Sequence, residues 1–217
     1  MADNTSLQQE YSDKIKKNGA IKFVGSHNRD DFDNHSDTHY TYLLDQGLLS
    51  NHKFLDVGCG ALRTGAKIIP YLEHGNYYGL DRMPELIEYG LNDVLPEQLV
   101  FSKAPKFSVN ENFDLSFVKQ KVDFVWCQSL MSHLDENDIN RCLKNIKSVC
   151  NENTKIYFTY FQQGGLERGS TEQSHSKKDI RYSSIVMDDI VREAGLVKIF
   201  NGTIGHPRGQ WMYICKV

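Results

Sequence analysis

Long apolar runs are missing from this 217-residue sequence. No window approaches the length of about 18 uninterrupted apolar residues that a membrane-spanning helix needs, so no membrane partner is expected. A basic start followed by an apolar stretch is also missing from the opening MADNTSLQQEYSDK. No secretory leader is expected there, and a cytoplasmic location is. Charge of one sign is not in excess: 25 Lys and Arg against 28 Asp and Glu leave a net −3, with no block of like charge. That balance argues against a polymeric nucleic-acid partner. There is no C-x-x-C pair; Cys59, Cys127, Cys142, Cys150 and Cys215 are odd in number and scattered. They read as reduced, mostly buried thiols, not as a zinc or redox site. Internal repeats and low-complexity tracts are lacking as well.

What is present suits a single soluble domain. Hydrophobic residues make up 40% of the chain, and at this length a fold buries about 70% of the surface its unfolded chain exposes. The first forty residues are the more polar part and read as a cap or lid, with a domain from 41 to 217. Within the cap, Leu7, Tyr11 and Ile15 recur at helical spacing and predict a helix over 5–17 with one narrow apolar stripe. The stretch from Ser26 to His39, SHNRDDFDNHSDTH, reads as a solvated loop. Its acids and histidines have the residue types of a metal site but no compact ligand spacing, so no metal is expected.

From residue 53 onward strands and helices alternate. Strands are expected at 53–57, 76–80, 106–109, 122–127, 155–161, 196–204 and 211–217, and helices at 63–73, 84–95, 135–149 and 184–194. VDFVWC, Val122 to Cys127, is nearly all apolar and should be a central strand covered on both faces. Asp135 suits the cap that starts the helix at 135–149, and Gly195 suits the left-handed position that ends the last helix. The polar stretch from Gln162 to Arg181 is too long for a connector and reads as a lid or binding element. The order predicts a Rossmann-like, doubly wound α/β fold: a mostly parallel seven-stranded sheet with a C-terminal antiparallel hairpin. Ligands of such sheets bind outside the carboxyl ends of the strands.

The chemistry concentrates in FLDVGCGALRTG, Phe54 to Gly65. A strand ends there, Gly58 and Gly60 permit a sharp turn and close approach to a ligand, and a helix follows. A dinucleotide-binding turn needs a third glycine at position 63, which is Arg63; the next glycine is Gly65. Asp56, two residues before the first glycine, would repel a pyrophosphate and attract a cation. Asp81 closes the second strand 21 positions after Gly60, where a carboxylate can accept hydrogen bonds from both ribose hydroxyls. Together these favour a phosphate-free, positively charged adenosine ligand, and S-adenosylmethionine fits that description. The rival readings are an NAD-type oxidoreductase and a non-catalytic partner protein that binds S-adenosylmethionine.

With those residues in place, the sequence resembles the class I S-adenosylmethionine-dependent methyltransferases. The family's (D/E)-x-G-x-G stands as Asp56-Val57-Gly58-Cys59-Gly60, and its ribose acid as Asp81 in YYGLD. LDVGCGALRTG, NYYGLD, VDFVWCQSLMSHL and the closing GHPRGQ are similar to a bacterial subgroup with that C-terminal HPRGQ motif. The resemblance implies that Asp56, Gly58 and Gly60 line the methionine part of the cofactor and that Asp81 holds the ribose. It implies an adenine contact at Asn112, followed by Phe113, and a residue facing the cofactor at Gln128. Arg63 is our added candidate for the cofactor's carboxylate. The expected acceptor is a small molecule or glycan-like nucleophile.

If that acceptor is a hydroxyl or a protonated amine, a general base is needed, and histidine titrates in the right range. His206, in the turn before the last strand, is the first candidate and His133 the second. Either could instead hold its own loop, and His206 and Arg208 could simply bond neighbouring backbone in a turn shaped by Pro207 and Gly209.

Overall fold

The computed structural model of the chain describes residues 4–164 and 179–217. In chain order its elements are helices α1 (Asn4–Asn18), α2 (Ala20–Phe23) and α3 (Arg29–Asp45), strand β1 (Phe54–Val57), helix α4 (Gly65–Tyr71), strand β2 (Tyr77–Asp81), helices α5 (Pro84–Tyr89) and α6 (Glu97–Lys103), and strands β3 (Lys106–Val109) and β4 (Val122–Cys127). Helix α7 (Glu136–Val149), strands β5 (Cys150–Gln162) and β6 (Arg181–Tyr182), helix α8 (Ser184–Glu193) and strands β7 (Val197–Thr203) and β8 (Trp211–Lys216) complete it. The strand order is β3-β2-β1-β4-β5-β8-β7, with β6 paired to β5 off this path. This is the Rossmann-like, mostly parallel sheet that the sequence predicts, with eight strands where seven are expected. The extra strand, β6, is two residues long, too short to leave a periodicity. Most of the expected lid, residues 165–178, lies outside the described residues.

The described structure comprises two compact units. The first combines Met1–His52 with Cys59–Glu111. The α1 stripe docks as predicted: Tyr11 and Ile15 are buried in a cluster with Ala20, Phe32, Ala61, Met83 and Leu86. Of the stretch 26–39, where a loop is expected, residues 29–39 lie in helix α3. Asn28 caps it, its side chain accepting from the Asp31 N–H at 2.8 Å, and Arg29 pairs with Asp33 one turn on. Its buried face is Phe32, Ser36, His39 and Leu43, half of it polar, which is why an apolar stripe is not visible. The expected helix at 84–95 is regular only to Tyr89; Gly90–Val94 forms a wider π-helical turn. Helix α6 is absent from the sequence reading because none of its residues is buried. Strands β2 and β3 pair in parallel from Tyr78↔Lys106 to Asp81↔Val109.

The second unit combines Lys53–Gly58 with Asn112–Val217. Here β1, β4 and β5 run parallel, with Phe54 opposite Phe124 and Val125 opposite Ile156. Strand β8 is antiparallel to β5, and β7 antiparallel to β8, so β7 runs in the direction of β5. The turn between β7 and β8 therefore lies at the edge where β1, β4 and β5 end. The core is aromatic: Phe124 stacks on Tyr157 at 5.7 Å and Phe158 on Tyr213 at 4.9 Å, ring planes within 4° in both pairs. Asp135 caps α7 by accepting from the Asp138 N–H, and Gly195 takes a positive φ of 74° just past α8, both as expected. All five cysteines are buried and none is in a disulfide.

Candidate functional site

In the first unit the glycine turn is organised around Asp81. Cys59 N–H donates to the Leu80 carbonyl at 3.0 Å, which fastens the turn to β2. Gly60 has a φ of +52°, and its N–H donates to Asp81 Oδ2 at 2.8 Å; Met83 N–H donates to Oδ1 at 2.9 Å. A carboxylate accepts about four hydrogen bonds in all, so with the N–H groups of Gly60, Met83 and Arg82 on it Asp81 retains capacity for a hydroxyl. Burial pushes the Asp81 carboxyl above the ordinary carboxylate range, opposed by the N–H groups of Met83, Gly60 and Arg82. A Cβ at Gly60 would come within 3.2 Å of Val24 Cγ1, so the backbone is bare where the N-terminal segment passes over it.

Arg63 precedes α4, where the sequence predicts it in the first helical turn. Its Nη1 donates to the Val24 carbonyl at 3.1 Å and Ser26 Oγ at 3.3 Å. Ser36 Oγ donates to the Arg63 carbonyl, and His39 Nδ1 lies 2.9 Å from Thr64 Oγ1. The turn is thus gripped by residues 24–39. Gly65 begins α4, and a Cβ there would lie 3.0 Å from Tyr77 Oη. The displaced third glycine performs the close helix-to-strand packing. Sequence reasoning missed Arg82, whose guanidinium stands 5.5 Å from the Tyr11 ring centre and 3.5 Å from Glu111 Oε2. Its contact to Tyr11 exists only because α1 docks there.

In the second unit Asp56 is buried in β1, and Gly58 has a φ of +77°. A Cβ on Gly58 would meet Leu130 Cδ1 at 3.3 Å. Gln128 and Ser129 follow β4. Ser129, with a φ of +56°, turns its N–H to Thr159 Oγ1 at 2.8 Å and its hydroxyl to Gln210 Oε1 at 3.0 Å. The Gln128 amide lies 2.6 Å from His206 Nε2. Arg208 N–H donates to His206 Nδ1 at 3.2 Å, so a neutral ring carries its proton on Nε2. The amide oxygen of Gln128 is then the group that faces it, since heavy-atom positions do not distinguish the two ends of an amide. Two separated sequence candidates, Gln128 and His206, are thereby brought together. Ser129, Thr159 and Gln210, which support them, were not singled out; Gln210 beside His206 in GHPRGQ was the available signal.

His133, Asn112 and Phe113 are the other candidates of this unit. His133 ends a 3-10 turn and is half-buried, its N–H on the Leu130 carbonyl at 3.0 Å. Asn112 is exposed, and its Oδ1 accepts from the Asp114 N–H at 3.3 Å. Phe113 is buried at a φ of +60°, its carbonyl accepting from Asn145 Nδ2 at 3.0 Å and its ring facing Arg141 at 5.7 Å. Among the described residues no cluster of His, Cys, Asp and Glu could hold a metal, and no helix is long and apolar enough to cross a membrane.

Each unit offers what an adenosyl sulfonium compound needs: a carboxylate with open lone pairs in the first, and a buried carboxylate ahead of a bare glycine turn in the second. Comparisons with known proteins agree. Residues 55–156 match the family model described as a methyltransferase domain. No curated protein sequence matches the chain. Among solved structures it is similar to the magnesium protoporphyrin IX methyltransferase of Synechocystis PCC 6803 with bound S-adenosylmethionine, at 14% identity and a TM-score of 0.68 over 96% of both chains. It is also similar to an S-adenosylmethionine-dependent methyltransferase of Clostridium acetobutylicum, at 11% identity and a TM-score of 0.63 over 96% of this chain and 98% of that one. A glycopeptide N-methyltransferase complexed with S-adenosylmethionine matches at 9% identity and a TM-score of 0.64 over 84% and 93%. At such identities the likeness is one of fold.

Proposed function

We propose that this S-adenosylmethionine-dependent methyltransferase, its domain matched over residues 55–156, transfers the sulfonium methyl to a small-molecule or glycan-like acceptor and releases S-adenosylhomocysteine. The observation that carries the reading is Asp81, whose oxygens are oriented by the N–H groups of Gly60, Met83 and Arg82 and keep room for a ribose hydroxyl. When bound, the cofactor supplies a methyl already activated by positive sulfur. Asp81 holds the ribose, Gly58 and Gly60 leave space for the methionine part, and the Asp56 charge favours a cation over a pyrophosphate. Arg63 serves the carboxylate end, Asn112 and Phe113 the adenine, and Gln128 the opposite side. Residues 1–40 act as a cap on the domain that begins at 41; the contacts of Val24, Ser26, Ser36 and His39 to the turn support that role.

Most of the rate comes from alignment of donor and acceptor and exclusion of water, worth about 7–11 kcal/mol in the best cases. A base adds roughly 10²–10⁴-fold for a hydroxyl or ammonium acceptor. His206 is the first candidate for that proton and His133 the second. With the ring proton on Nε2 the basic nitrogen of His206 is Nδ1, so for His206 to accept it the 3.2 Å bond from the Arg208 N–H must open as the acceptor arrives.

Calorimetry with S-adenosylmethionine and with NAD tests the cofactor, and S-adenosylhomocysteine release across hydroxyl- and amine-bearing acceptors tests turnover. Binding of the methyl donor with product formation is expected. Tight NAD binding without it would return the oxidoreductase reading, and binding without turnover the non-catalytic one.

A further inference from the structure

The carboxyl edge of the second unit carries a group of side chains that methyl transfer itself does not use. Phe161, near the end of β5, is 4% exposed, yet two guanidinium groups lie against its ring: Arg181 at 5.0 Å from the ring centre and Arg208 at 5.3 Å. Arg181 comes from β6, where its Cα is the register partner of Phe161, and Arg208 from the turn before β8. Both arginines are exposed. Among the described residues one carboxylate answers them: Asp179, 3.2 Å from Arg208. Among the described residues Arg181 has no ion pair. The segment is held in place, since Ile180 N–H donates to the Ser132 carbonyl and Tyr182 Oη to the Leu134 carbonyl. A chain of contacts links it to the candidate base, because the backbone of Arg208 bonds the His206 ring and that ring meets Gln128.

A guanidinium laid on an aromatic ring keeps its N–H fork free at the rim, where it matches a carboxylate or phosphate. Two such groups on one ring, half compensated, form a positive site, and the exposed pair with Asp179 is weak enough for a ligand to displace. We propose that Arg181 and Arg208 bind an anionic group, a carboxylate or phosphate, carried by the acceptor as a handle beside the atom that is methylated. This deepens the proposed function and rests on it for the word acceptor.

The test is calorimetry on the full chain with glucuronate and glucose 6-phosphate as probes, glucose as the neutral control, and S-adenosylmethionine titrated separately. The anionic sugars should bind at least about tenfold more tightly than glucose, the usual scale for hydrogen bonds to a charged group. Comparing the two anions tells carboxylate from phosphate. R181Q and R208Q should each lose most of that preference while binding S-adenosylmethionine as the parent does. D179N should bind the anions more tightly, which a purely structural ion pair would not produce. Equal binding of charged and neutral sugars, or anion binding unchanged in both arginine variants, overturns the proposal. Failure of S-adenosylmethionine to bind while anions still do would instead remove the methyltransferase reading and leave the anion site standing.

Discussion

Asp81 does two things at once, and its environment predicts how they separate with pH. Burial raises its pKa, so the folded protein binds a proton there at a pH where the unfolded chain has lost it. Ionisation of Asp81 therefore costs stability as pH rises through that window. Hydroxyls donating to the carboxylate favour the ionised form, so S-adenosylmethionine affinity should fall as pH drops through the raised value. Asp81→Asn should flatten this dependence and weaken binding by several fold or more at neutral pH, about the worth of charge-assisted hydrogen bonds; calorimetry across pH reads both. Gly60→Ala places a Cβ at φ +52° and against Val24, and should lower stability by about 1–2 kcal/mol in denaturant titration. His206→Ala should reduce turnover on hydroxyl acceptors by roughly 10²–10⁴-fold with cofactor affinity kept, if the acceptor needs a base; unchanged turnover moves the role to His133.

Elements were legible in proportion to the apolar periodicity they carry. Strand β4 was readable because Val122 to Cys127 is almost wholly buried, and α7 because Ile139, Leu143 and Ile146 line one side. Helix α3 was not, because two of its four buried positions are Ser36 and His39, which satisfy their polar atoms on Arg63 and Thr64. Helix α6 buries nothing, and its Phe101 is 88% exposed, so no stripe exists to detect. In the site, the chain motifs Asp56 to Gly60 and Asp81 were visible, whereas the Gln128 to His206 contact joins residues 78 positions apart. Caps were legible too, and they carry a prediction. Asp135→Ala should cost about 1 kcal/mol by removing the acceptor for Asp138 N–H, measurable as a shift in the denaturation midpoint with an unchanged slope.

At the scale of the molecule, the five thiols report on global opening. Burial pushes Cys150 up to about 12, and Cys127, Cys142 and Cys215 are raised by the same cause. None should react with an aromatic disulfide reagent in the native state at neutral pH; labelling should appear together with unfolding, whereas fast labelling of one thiol would reveal a local opening. The order of strands has a consequence for biosynthesis. Strand β8 lies between β5 and β7, although β7 is made first. On the ribosome β7 has no neighbour to join until Trp211 to Lys216 have left the exit tunnel, and until then the flank of β5 stands open to other chains. A nascent chain stalled just short of Trp211 is the species that a chaperone would be needed to shield.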